Sequence, residues 1–168
     1  MTEVLLGVGS NIERERYITA GLDALAALLG DLELSPVYDS AAIGFDGQPF
    51  LNLVVRAVTE LPLADLARQL RHIEKEYGRP DNAPRFSSRH LDIDILTYGE
   101  LSGEHDGVVL PRPEILENAF VLRPLADLLP ARRHPLDGRT YAALWSAYDQ
   151  ESQALARVSF VWRGRVCS

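Results

Sequence analysis

Three features of the sequence predict an α+β fold of the ferredoxin-like kind, an αβ sandwich with a mostly antiparallel sheet, two helices on one face and additional C-terminal elements. Apolar runs of strand length and amphipathic stretches of helix length follow the order strand–helix–strand–strand–helix–strand over residues 1–98, which is the split βαβ arrangement. The runs are bounded by Gly, Pro, Asn and Ser punctuation. At 168 residues the chain suits one domain, residues 1–168, with a single sizeable core. The residues after 98 must then add strands or cover the second face of the sheet.

Val4-Leu5-Leu6-Gly7-Val8-Gly9 reads as a buried strand. Gly7-Val8-Gly9-Ser10-Asn11 opens like a dinucleotide fingerprint, but Ile12 stands where the third glycine belongs. A tight strand-to-helix turn is the better reading, with Ser10 or Asn11 as helix cap. Ile18, Leu22, Leu25 and Leu28-Leu29 give the helix its apolar stripe, and Gly30 ends it. A second strand is expected over 32–38, a loop over 40–49 and a third strand over 50–58. In the third strand Leu51, Leu53 and Val55 share one face, and Phe50, Asn52, Val54 and Arg56 the other. Leu66, Leu70 and Ile73 mark a second helix over 63–77. Residues 79–88 form a loop rich in Arg, Pro and Ser, and 99–107 read as polar turns before the short strand Val108-Val109-Leu110. Pro111-Arg112-Pro113 breaks the chain. A short helix over 114–117, an apolar segment over 119–129, a loop over 130–138 and a helix over 140–148 follow. A final edge strand is expected over 158–162, with 163–168 as a loose end.

The net charge is −7, which argues against broad electrostatic binding to nucleic acid or an anionic membrane. Cys167, the only cysteine, rules out an intrachain disulfide and fits a reducing compartment. The first residues lack the basic start of a secretory signal, and no apolar run approaches membrane-spanning length. A cytoplasmic protein is the natural reading.

The chemistry concentrates in Arg85-Phe86-Ser87-Ser88-Arg89-His90-Leu91-Asp92-Ile93-Asp94-Ile95-Leu96. Strand alternation puts Leu91, Ile93 and Ile95 on one face, and His90, Asp92 and Asp94 on the other. Asp is depleted in strands, and a buried unpaired carboxylate is costly. A hard cation would explain the pair, since Mg²⁺ takes one or two carboxylates and completes its shell with water and substrate phosphates. Arg85 and Arg89 lie just upstream to meet such phosphates. A simply solvated strand face is the alternative. Asn52 in an apolar strand is either satisfied by nearby backbone or reads the edge of a heterocycle. Glu74 is either a surface charge or a residue that faces the site.

Gly7-Val8-Gly9-Ser10-Asn11, Gln48-Pro49-Phe50-Leu51-Asn52, Ile73-Glu74 leading to Gly78-Arg79, Arg89-His90-Leu91-Asp92-Ile93-Asp94-Ile95-Leu96 and Asn118-Ala119-Phe120-Val121-Leu122 with Pro124-Leu125 together resemble the hydroxymethyldihydropterin pyrophosphokinase family, from Leu5 to about Leu129. The resemblance implies a ferredoxin-like fold and transfer of diphosphate from ATP to a reduced pterin alcohol in folate biosynthesis; ATP and the pterin are the expected partners, without nucleic acid or membrane, and a monomer is the expected state. It implies two Mg²⁺ ions on Asp92 and Asp94, with Arg79, Arg85 and Arg89 along the phosphates as catalytic residues. The pterin would meet Ser40, Ile43, Phe50, Asn52 and Phe120. The nucleotide would meet Glu74, Arg89, Arg112 and the backbone near Val109 and Leu110.

The chain also departs from the family pattern. Arg112 stands where His is usual, Asn118 where Arg is usual, and His90 where Thr is usual; Pro80-Asp81-Asn82 lacks a second loop arginine, and Phe86-Ser87-Ser88 replaces Trp-Gly-Pro. Arg112 could restore the charge lost at 118. Two other readings stay open: a pterin- or nucleotide-binding paralogue with reduced transfer, and a metal-dependent phosphoesterase using His90, Asp92 and Asp94.

Overall fold

The structure is a computed structural model that describes residues 1–40, 49–77 and 90–167. In chain order its elements are β1 (Thr2–Ser10), α1 (Arg14–Leu29), β2 (Glu33–Leu34), β3 (Val37–Ser40), β4 (Phe50–Thr59), α2 (Leu63–Glu76), β5 (Asp92–Tyr98), β6 (Gly103–His105), β7 (Val108–Leu110), α3 (Glu114–Glu117), α4 (Ala119–Leu128), α5 (Tyr141–Ala147), β8 (Leu155–Val158), β9 (Val161–Trp162) and β10 (Arg165–Val166). The main sheet is antiparallel in the order β5-β1-β4-β3-β8, with β2 also on β4. The expected ferredoxin-like order of elements is therefore present. Among the described residues the aspartate strand lies at the sheet edge, with β1 between it and β4.

Among the described residues the expected single core is two clusters, one on each face of the sheet. Ile18, Leu22 and Leu25 of α1 and Leu66, Leu70 and Ile73 of α2 pack on Leu6, Val8, Leu53, Val55, Ile93 and Ile95. Gly21 lets α1 approach β5, since a Cβ there would lie 2.8 Å from Leu91 Cδ1. On the opposite face Leu5, Val54 and Leu96 meet Ile115, Val121, Leu122 and Leu125, with Tyr141 and Leu144 of α5. Leu96 shares the face of Asp94 by ordinary alternation; a register shift between Leu5 and Leu6 leaves it as the extra residue of a β-bulge, beyond which Tyr98 packs on the helix-side core.

Several local expectations give way to tertiary pairing. Gly7 and Gly9 do not form a turn; they pair within β1 on both sides, and β1 continues through Ser10 opposite Leu51. Neither Ser10 nor Asn11 caps α1. Glu13 takes that position with φ of 42° and no side-chain cap, while the Ser10 hydroxyl donates to Ile12 O at 3.1 Å. The second strand is split at Ser35-Pro36. Pro36 has no N–H to donate, and Ser35 Oγ replaces a ladder carbonyl by accepting from Val54 N at 2.8 Å. The segment over 99–107 contains β6, which turns into β7 through Asp106 and Gly107, both at positive φ. The edge strand at the far end is Leu155–Val158 on β3, not residues 158–162. The expected loose end is a β9–β10 hairpin: Cys167 N–H donates to Phe160 O at 2.8 Å, and Trp162 Nε1 donates to Asp23 of α1 at 3.0 Å. Among the described residues, no helix is long and apolar enough to cross a membrane.

The loop before α5 is organised by the buried side chain of His134, whose Nδ1 accepts from Leu136 N–H at 3.2 Å and Asp137 N–H at 2.9 Å. Burial lowers the affinity of this imidazole for a proton, with Asp137 opposing in part. A histidine depressed in the folded state binds more protons when unfolded, so its contribution is intact above its ordinary pKa near 6.5 and declines as pH falls through that value. Thermal unfolding of the wild type between pH 7.5 and 5 is therefore expected to lose more stability than that of His134→Gln; parallel curves for the two proteins would contradict this.

Candidate active site

Asp92 and Asp94 project from β5 on the face opposite Ile93 and Ile95, which belong to the helix-side core. Across the ladder they meet no side chains: Asp92 is opposite Gly9 and Asp94 opposite Gly7. One strand further, Asn52 is opposite Gly9 and Val54 opposite Gly7. Directly opposed residues of an antiparallel pair share a face, so Asp92, Gly9 and Asn52 form one row. Glycine at position 9 is a spatial requirement, because a Cβ would lie 2.6 Å from Asn52 Oδ1 and 3.5 Å from Phe50 Cδ1. The row is thus a shallow trough with carboxylates on one bank and an amide and an aromatic ring on the other.

The amide is held in place. Asn52 Nδ2 donates to Ser40 Oγ at 2.8 Å, and Ser40 is the register partner of Phe50. Arg14 secures the ends of these two strands through Asp39 at 3.1 Å and Pro49 O at 3.2 Å.

Among the described residues no further strand pairs with the outer edge of β5, and other groups take its backbone. Glu74 of α2, only 2 % exposed, accepts from Ile93 N–H through Oε2 at 2.9 Å. Arg112 N–H donates to Leu96 O at 2.9 Å. Such cover blunts an exposed sheet edge, and here it fixes the strand carrying the aspartates. Glu74 is accordingly neither a surface charge nor distant from the site.

Burial drives the Asp94 carboxyl well above the usual carboxylate range, and the neighbouring Asp92 adds to this; Arg112 opposes the shift and Glu74 reinforces it. Arg112 Nη2 lies 3.5 Å from Asp94 Oδ1, while its Nε is ion-paired with Glu114. Alongside is a cavity of about 680 Å³ whose lining includes Leu70, Arg71, Glu74, Asp94, Val109 and Arg112, within the range of small-molecule sites.

The structure therefore brings together Asp92, Asp94, Glu74, Arg112 and Val109, with Ser40, Phe50 and Asn52 across the trough. Leu110 is 1 % exposed and its side chain belongs to the helix-side core. Phe120 is half-buried against the cluster around α4. His90 does not join the aspartate face as alternation suggested. It precedes the strand, and its ring packs edge-on against Tyr17 at 4.8 Å, which removes a ligand from the phosphoesterase reading. Among the described residues, no group of three or more His, Cys, Asp and Glu side chains is placed to hold a metal. Asn118 is engaged by Gln153, which donates to its Oδ1 at 3.0 Å. Ile43, Arg79, Arg85 and Arg89 lie outside the described residues.

Sequence reasoning missed the space-making function of Gly7 and Gly9, the Glu114 partner of Arg112, and the cavity face of α2. The last was detectable, since Ala67, Leu70, Arg71 and Glu74 line the cavity at helical spacing.

Residues 5–130 match the family model described as 7,8-dihydro-6-hydroxymethylpterin-pyrophosphokinase (HPPK). The chain is 39% identical over 148 residues to a 2-amino-4-hydroxy-6-hydroxymethyldihydropteridine pyrophosphokinase of Pseudomonas aeruginosa, covering 86% of this chain and 90% of that one. It is 35% identical over 138 residues to the protein of the same description from Aquifex aeolicus, covering 81% and 86%. A folate synthesis bifunctional protein of Arabidopsis thaliana is 35% identical over 156 residues, where the match takes 89% of this chain but 31% of the relative. The chain thus spans under a third of that bifunctional relative and most of the two shorter ones. The crystal structure of Plasmodium falciparum HPPK-DHPS superposes with a TM-score of 0.73 at 14% identity over 98% of this chain and 49% of that one, a likeness of fold. The chain belongs to the HPPK family.

The two glycines of β1 should differ sharply in tolerance. Gly9→Ala meets the Asn52 amide, whereas a Cβ at Gly7 would contact Leu96 at an ordinary 3.6 Å. Gly9→Ala is expected to cost about 1–3 kcal/mol of stability by overpacking, and Gly7→Ala clearly less. Urea unfolding of the two variants measures the difference, and equal losses would contradict the trough geometry.

Proposed function

We propose that the protein transfers diphosphate from ATP to 6-hydroxymethyl-7,8-dihydropterin, giving AMP and the pterin diphosphate for folate synthesis. The observation that carries this reading is the row Asp92–Gly9–Asn52 beside the cavity, in a chain of this family. Such transfer forms a bond from the substrate hydroxymethyl oxygen to the β-phosphorus and breaks the bond from that phosphorus to the oxygen retained by AMP. The hydroxyl loses its proton in the process. Positioning and charge neutralisation supply most of the rate for transfers of this kind.

Asp92 and Asp94 are the residues that would hold Mg²⁺, with two ions expected from the family resemblance. They fit the ion: both are carboxylates on one strand face, set close enough for Asp92 to raise the Asp94 carboxyl further. When bound, Mg²⁺ neutralises phosphate oxygens and acidifies the attacking hydroxyl. Asn52, fixed by Ser40, reads the edge of the pterin. Phe50 and Phe120 offer it aromatic faces. The cavity lined by Leu70, Glu74 and Val109 takes the nucleotide, with backbone near Leu110. Arg79, Arg85 and Arg89 enter as phosphate ligands on the family pattern, and Ile43 as a pterin contact. A monomer working in the cytoplasm is the setting this reading implies, in keeping with the lone cysteine.

A second reading, a pterin- or nucleotide-binding paralogue with weak transfer, is favoured by the two departures: Arg112 faces Asp94, and Asn118 is engaged by Gln153. AMP release separates the two. With Mg²⁺ and ATP, AMP is expected to appear only when 6-hydroxymethyl-7,8-dihydropterin is present, and Asp94→Ala should lower the rate by about two orders of magnitude or more. Pterin binding without AMP would establish the binder instead.

A further inference from the structure

We propose that Arg112 is the resident counter-ion of the aspartate pair: its guanidinium holds the place beside Asp94 that a divalent cation takes, so metal binding stays weak until a triphosphate draws the guanidinium away. This rests on the metal reading of Asp92 and Asp94 and adds a residue that sets when the metal loads.

Three contacts support it. The backbone of Arg112 is pinned to the edge of β5 through Leu96 O at 2.9 Å, so its side chain starts alongside the aspartates. Nη2 then reaches Asp94 Oδ1 at 3.5 Å, the distance of a loose ion pair rather than a fork of short bonds. Nε is held at the same time by Glu114. Arg112 and Asp94 line the same cavity, so a triphosphate entering it meets the guanidinium. A guanidinium is always charged and binds phosphate oxygens through forked donors. Triphosphate oxygens can therefore compete with one loose carboxylate contact, while Glu114 retains the other end of the side chain.

Arg112 and a metal ion compete because both carry positive charge to Asp94 and repel each other at these distances. Binding of either one at Asp94 must weaken binding of the other by the same factor. The nucleotide-free protein should consequently bind divalent cations less tightly than the same aspartates would without Arg112.

The test uses the full chain without nucleotide and Mn²⁺ as the probe, with free Mn²⁺ followed by electron paramagnetic resonance. Arg112→Gln, and Arg112→Met as a second variant of similar stem length, are expected to tighten Mn²⁺ roughly threefold to tenfold. Arg71→Gln removes a charge from the same cavity lining and should change the affinity by less than about twofold after screening. Arg112→Lys, which keeps the charge, should stay near the wild type. Unchanged or weaker Mn²⁺ binding in both neutral Arg112 variants would overturn the proposal, as would equal tightening by Arg71→Gln. Asp94→Asn separates the underlying reading: Mn²⁺ held equally well by that variant would remove the metal site itself, whatever Arg112 does.

Discussion

Two carboxylates on one face of an edge strand are the feature to which the rest of the site is fitted. The strand itself is apolar on its other side, where Ile93 and Ile95 join the core under α1 and α2. Asp92 and Asp94 therefore cannot turn inward without emptying that core. Their face has to stay open, and it does so because the opposing residues of β1 are Gly9 and Gly7. Asn52 can then reach across the gap. The backbone at the strand edge has to be satisfied too, and the buried Glu74 and the Arg112 amide take it. The same groups that hold the strand also charge the site: burial and Asp92 push Asp94 upward, Glu74 adds to this and Arg112 opposes it.

The two faces of the sheet divide the work. One is covered by α1 and α2 and supplies the larger core. The other is covered by α4 and α5 around Leu5, Val54 and Leu96, which leaves the row at Gly9 for ligands. The change from core to site occurs within single strands, from Leu5 to Gly9 on β1 and from Leu96 back to Asp92 on β5. The bulge at Leu96 returns Tyr98 to the helix-side core and is part of this division.

The alternation of Leu91, Asp92, Ile93 and Asp94 was legible in the sequence, as were the helical stripes and the place of Asn52 among apolar neighbours. Each follows from a period that burial enforces locally. What escaped depends on partners distant in the chain. That Gly7 and Gly9 lie inside a strand follows from pairing with residues on β4 and β5. The edge position of β5 follows from strand order, which periodicity does not encode. His90 belongs to the aspartate face by counting, yet it precedes the strand, and Tyr17 of α1 claims its ring. The C-terminal hairpin was hidden because its burial is on α1, through Trp162 and Asp23. Arg112 was singled out as a departure from the family pattern, but its hold on Asp94 required the structure.

The most direct measurement is the position of the metal itself. Crystals grown with Mn²⁺ and a non-hydrolysable ATP analogue would locate it by anomalous scattering. The account predicts density within about 2.1 Å of carboxylate oxygens of Asp92 and Asp94, with phosphate oxygens completing the shell and the Arg112 guanidinium moved off Asp94. Manganese bound to the nucleotide alone, with Asp94 still paired to Arg112, would contradict it.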